Sequence, residues 1–150
     1  MNTVQAQELK NVITDVKVWH FDNGKVKEPN KDGVYELTVN KNYANYRYMV
    51  DFDLSNYNGK LVDGDFFTFT IPAPITVKEE KFDIIDSQTK VAVASANVVS
   101  NGDGKGGKVT INLKNLKEYL KKKGGTQVEN VKGNFWVGFS VKEEKNETTV

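Results

Sequence analysis

The sequence predicts an all-β fold, an antiparallel β-sandwich with one short helix. Three observations carry that expectation. About nine short segments alternate apolar and polar residues between turn signals, which is the pattern of half-buried strands. Only one segment, 115–123, has helical spacing, so the crossover helices that a parallel sheet needs are missing. Third, the stretch Gly64 to Pro74, GDFFTFTIPAP, places three phenylalanines in four positions and stops at two prolines.

Each element can be justified in turn. Residues 1–11 are polar and unpatterned and read as a flexible lead-in. Val12 to Phe21 alternates, with Val16 and Val18 on one face and Asp15, Lys17 and Trp19 on the other. Asp22-Asn23-Gly24 signals a turn, and residues 25–33 read as loop. Val34 to Val39 forms a second strand, with Tyr35, Leu37 and Val39 on one face, and Asn40 to Asn45 is a polar break. In Tyr46 to Leu54, Tyr46, Tyr48, Val50, Phe52 and Leu54 point inward, while Arg47, Met49, Asp51 and Asp53 point outward. Asn58-Gly59 and Asp63-Gly64 are turn pairs. Phe67, Phe69 and Ile71 then share a core face, and Pro72, which lacks an N–H, ends the pairing.

Ile75 to Val77, Lys81 to Ile85 and Val91 to Val99 are further strands. Asn101 to Gly107, NGDGKGG, makes a mobile hairpin loop. Lys108 to Leu113 follows, with Val109, Ile111 and Leu113 inward. The helix 115–123 sets Leu116 and Leu120 four apart, carries lysines at its end and stops at Gly124. Val131 to Lys142 is a late strand, with Phe135, Val137, Phe139 and Val141 on one face and Trp136 on the other. Residues 143–150 read as a linker or the start of a final strand. The expected organisation is therefore a lead-in (1–11), one domain (12–142) and a tail (143–150).

Composition narrows the function. A chain of 150 residues, 38% hydrophobic and 27% charged, suits one folded soluble domain. A net charge of +1 with signs interspersed offers no field for nucleic acid, and no apolar run is long enough to enter a membrane. The absence of cysteine excludes disulfides, thiolate metal sites and cysteine nucleophiles. Lysine outnumbers arginine 20 to 1, a bias of AT-rich genomes. The amino terminus lacks the regions of a signal peptide, which fits a Met1 that follows a removed leader.

Catalysis is poorly provided for. His20 is the one histidine and sits in a strand beside Trp19, with no GxSxG elbow anywhere. It cannot by itself anchor a histidine-based metal site. Asp51 and Asp53, with Asp63 and Asp65 nearby in sequence, offer carboxylates for glycoside hydrolysis or calcium, but the solvated face of a sheet explains them as well. NGDGKGG holds one acid, too few for a calcium loop, and it joins strands rather than opening a phosphate-binding helix. Lysines 121–123 complement the helix end. No enzyme activity, cofactor or metal is expected. The best remaining signal is exposed aromatics: Trp19 and Trp136 on the face opposite the apolar series, and Tyr43 and Tyr57 in loops, residue types favoured in contacts with proteins and sugars. A covering of both sheet faces would account for them equally.

The order of segments resembles the first immunoglobulin-like subdomain of collagen- and fibrinogen-binding surface adhesins of Gram-positive bacteria. Strands of the form Φ-x-Φ-D, x-N-G-x-Φ-x-x-G-D-x-Φ-x-Φ-x-x-P and V-x-G-x-F-x-Φ-x-V, where Φ is apolar, match Val50 to Asp53, Tyr57 to Pro72 and Val131 to Val141. The likeness runs over about residues 12–142. It implies a variant immunoglobulin-like sandwich with extra strands, carried on an extracellular, cell-wall-anchored protein. It implies a host matrix protein as partner, held together with an adjacent immunoglobulin-like domain. A glycan ligand, or a purely structural spacer, are the other readings. Some relatives carry an internal amide bond assisted by a buried acid; here the resemblance would place it at Lys17 and Asn134, with Asp51 or Asp53 as the acid.

Overall fold

In the computed structural model, residues 5–20, 25–37, 46–141 and 148–149 are described. Strand β4 (Tyr46–Asp53) shows the organising rule, with residues alternating strictly between buried and half-buried. It lies at the centre of a five-stranded sheet ordered β2-β1-β4-β10-β6, formed with β1 (Ile13–His20), β2 (Lys25–Lys27), β6 (Thr76–Val77) and β10 (Lys132–Ser140). The second sheet is ordered β5-β9-β8-β7, from β5 (Phe66–Ile71), β7 (Glu80–Ile85), β8 (Ala92–Ser100) and β9 (Gly107–Leu113). Every pairing of these strands is antiparallel. The fold class is the all-β antiparallel sandwich that the alternation predicted, in the immunoglobulin-like form that the resemblance implied.

The core fills the space between the sheets. Tyr46, Tyr48, Val50 and Phe52 come from β4, Phe67, Phe69 and Ile71 from β5, and Phe135, Val137 and Phe139 from β10. Aromatic rings meet across the gap: Phe52 with Phe67 at 5.2 Å and Tyr48 with Phe69 at 5.3 Å between centroids. The dense phenylalanines of GDFFTFTIPAP are therefore mainly core. Only Phe66 turns to the other face, and it is half-buried.

Several expectations need correction. Of the segment expected to be a flexible lead-in, Gln7 to Leu9 are docked along β5, and residues 1–4 lie outside the described residues. Leu9 N–H donates to the Phe66 carbonyl at 2.7 Å and Phe66 N–H to that of Gln7 at 3.0 Å. Leu9 is buried. The fully buried Asp65 carboxylate holds this segment by accepting from Gln7 N at 2.9 Å, Gln7 Nε2 at 3.2 Å and Val62 N at 2.9 Å. Residues 25–27, expected as loop, form β2, because Val26 pairs with Trp19. The second strand shrinks to β3 (Val34–Tyr35), which pairs with β11 (Thr148–Thr149). Tyr35 and Leu37 are both buried, as the alternation required, while Val39 lies outside the described residues.

Helix α1 (Leu116–Lys123) ends at Gly124, whose φ of 80° and N–H bond to the Leu120 carbonyl form the stop. Its buried residues are Leu116 and Tyr119, not Leu116 and Leu120, since the docking face follows the three-residue step. The loop after β8 is the expected hairpin connection, but it is fastened: Gly104 N–H donates to Thr76 Oγ1 at 2.8 Å and Gly106 N–H to the Ile75 carbonyl at 2.7 Å. At Gly106 a Cβ would stand 2.0 Å from the Ile71 carbonyl oxygen, so only glycine fits that approach.

Candidate functional site

The outer face of the first sheet is set by register. Residues directly opposite in neighbouring antiparallel strands share a face, so β1, β4 and β10 present their outward residues in rows. One row runs Val26, Trp19, Arg47 and Gly138. The next runs Lys17, Met49 and Trp136, and the third Asp15, Asp51 and Asn134. Trp19 and Trp136 flank β4 and reach across it. Their centroids are 6.1 Å apart with an interplanar angle of 80°, an edge-to-face corner.

The corner opens to solvent. Trp136 is 39% exposed, one of three exposed large apolar side chains among the described residues, and Trp19 is half-buried. The Arg47 guanidinium carbon lies 5.7 Å from the Trp136 ring centre, a contact worth about 0.5–1 kcal/mol at such a site. Gly138, opposite Arg47, contributes no side chain, which leaves room beside the rings. The corner thus supplies two indole faces at right angles, an arginine and the thioether of Met49. That set can seat an apolar or ring-shaped group from a partner.

The other predicted site residues fall elsewhere. Tyr57 follows the far end of β4, in a 3-10 turn (Ser55–Tyr57), away from the corner. Its hydroxyl accepts from Lys10 N at 2.8 Å and its ring packs on the core, so it fastens the amino-terminal segment. Tyr43 lies outside the described residues. His20 stacks on Tyr46 with centroids 4.9 Å apart, as part of the strand.

Lys17, Asp51 and Asn134 do share the outer face, with Asp51 and Asn134 directly opposite and Lys17 one row away. The buried acid that an amide bond requires is not found there. Asp51 is half-buried, Asn134 is exposed, and Lys17 Nζ faces Asp15 Oδ2 at 3.4 Å with about half its side chain in solvent. Next along β4, Asp53 accepts from the Ser55 hydroxyl and from Ser55 N at 2.8 Å. These bonds hold its carboxyl below the ordinary aspartate value, against a small opposing effect of burial, with Lys132 helping.

Sequence reasoning found both tryptophans but not their neighbours. Val26, Arg47, Met49 and Gly138 join the corner only through cross-strand register, and register depends on partners remote in sequence. Among the described residues, no group of three or more His, Asp or Glu side chains is placed to hold a metal ion. None of the described helices is long and apolar enough to cross a membrane. A family model described as a bacterial Ig domain matches residues 39–150. No curated protein matches the chain, and no solved structure does.

Proposed function

Since the chain belongs to the bacterial Ig domain family, we propose that it serves as a non-catalytic ligand-binding module of a cell-wall-anchored bacterial adhesin. Its ligand is a host extracellular-matrix protein of the collagen or fibrinogen class, taken together with a neighbouring domain. The observation that carries this reading is the aromatic corner. Trp136 stands exposed beside Trp19 on a sheet face whose outward residues also include Lys17, Arg47, Asp15, Asp51 and Asn134. Indole surface left in water is a contact residue in waiting, because its burial by a partner releases that water.

The test is binding of the domain, alone and joined to its neighbour, to immobilised collagen, fibrinogen and fibronectin. Trp19→Ala and Trp136→Ala should each weaken binding by about tenfold or more, the range of a hot-spot truncation. Binding that ignores both changes would remove the corner from the function, and no binding in either format would remove the matrix ligand. The same corner favours a second reading, a carbohydrate-binding module, since sugar rings stack on indoles. A glycan array with the same two variants separates the two.

A further inference from the structure

The aromatic corner does not stand alone on its face. One row along lie Asp15 and Asp51, direct cross-strand partners of like charge, an arrangement that works against pairing. Asp15 is offset by Lys17. Asp53 is held by Ser55 and lies opposite Lys132. The Asp51 carboxylate has no hydrogen-bonded or ion-paired partner among the described residues, though Thr14, Asp53, Lys132 and Asn134 line the same shallow depression. Two residues along a strand is about 7 Å, so Asp51 sits that far from the row that carries Trp136.

These two features specify one kind of partner. An apolar side chain or proline ring seated between the indoles would bury them. A cation about 7 Å further on would neutralise Asp51 and relieve the Asp15–Asp51 repulsion, while an acid there would add a further negative charge beside them. We infer that the outer face of the first sheet selects a protein segment carrying a lysine or arginine beside an apolar or proline residue, with Asp51 as the specificity residue. This rests on the ligand-binding reading above and names the chemistry that the reading leaves open.

The chain's only two tryptophans form the corner, so intrinsic fluorescence reports on it directly. The probes are four tryptophan-free synthetic peptides with one proline- and leucine-containing frame and Lys, Arg, Gln or Glu at a single position. The basic peptides should bind about three- to tenfold tighter than the Gln peptide, with the Glu peptide weakest, and added salt should shrink the gap. Asp51→Asn should erase the preference and Asp51→Lys should reverse it. Both substitutions lie on a solvent-facing row, and unchanged thermal midpoints show that they fold. The same variants are measured on immobilised collagen and fibrinogen, where Asp51→Lys should weaken binding more than Asp51→Asn. Binding that needs Trp19 and Trp136 but ignores position 51 overturns the inference and leaves the ligand-binding reading standing. Binding of glycans alone also overturns it. If neither tryptophan matters to any ligand, the reading itself fails.

Discussion

The two faces of β4 are one residue apart and face opposite demands. Tyr46, Tyr48, Val50 and Phe52 are at most 2% exposed, and the three aromatic ones meet the rings of β5 and β10. Arg47, Met49, Asp51 and Asp53 are half-buried and carry charge or soft apolar surface. An inward residue is constrained by close packing, where a missing methylene leaves a void. An outward residue is constrained only by its strand neighbours and by whatever lands on them. Stability and recognition are therefore separable on a single strand, and substitutions on the two faces should fall into two classes.

The sharpest way to break that separation is to truncate an inner ring. Phe52 packs on Phe67 at 5.2 Å and on Phe135 at 6.5 Å between centroids. Phe52→Ala should cost about 3–5 kcal/mol in chemical denaturation, whereas Met49→Ala on the other face should cost under about 1 kcal/mol. Similar costs for both would mean that the outer face is covered as well.

Next in size is Asp65, where the second sheet meets the amino-terminal segment. Its carboxylate is buried and satisfies three donors, two of them from Gln7. Asp65→Ala should cost about 2–3 kcal/mol, because three part-buried donors lose their shared charged acceptor. It should also speed amide exchange at Gln7 and Leu9 well before the core opens. Unchanged exchange there would show that the segment is held by Leu9 burial instead.

This anchor also marks the limit of what the sequence alone discloses. Strict alternation made β4, β5, β9 and β10 readable, because a strand buried on one face must write that face into every second residue. Gln7, Leu9 and Lys10 carry no such period. They are held by a few long-range partners, chiefly Asp65, Phe66 and Tyr57, which local pattern cannot reveal. Strand β2 has three residues, one of them apolar, too short for a period to appear. The candidate site was half legible for the same reason. Outward position identified Trp19 and Trp136, but their meeting across β4, and the Asp15–Asp51 pair beside them, follow from register.

Tyr48 tests the inner face from the opposite direction. Its ring is fully buried against Phe69 and Phe139, yet its hydroxyl has no hydrogen-bond partner among the described residues. Burial, with Tyr35 nearby, pushes its ionisation well above the ordinary tyrosine value. Tyr48→Phe removes a desolvated polar group and keeps the packing. The expected result is neutral to about 1 kcal/mol more stable in denaturant unfolding. A clear loss would reveal a water or a further side chain serving that hydroxyl.

The smallest effect belongs to the outer face and to pH. Ser55 donates through both N–H and hydroxyl to Asp53, and these bonds hold the folded-state carboxyl below the ordinary aspartate value. A group depressed on folding contributes stability that is complete above its unfolded value and is lost as pH falls through the folded one. Ser55→Ala deletes the hydroxyl donor and keeps the N–H, so the Asp53 carboxyl should titrate higher, as read by carboxyl NMR shifts. The acid side of the thermal-midpoint profile should then lose part of its slope below about pH 4, with almost no change at neutral pH. Because Asp53 is only half-buried, water replaces much of the lost bond, and the whole effect should stay under about 0.5 kcal/mol. A larger loss, comparable to a core truncation, would place Asp53 among the residues that hold the sandwich together and would move the line between the two faces of β4.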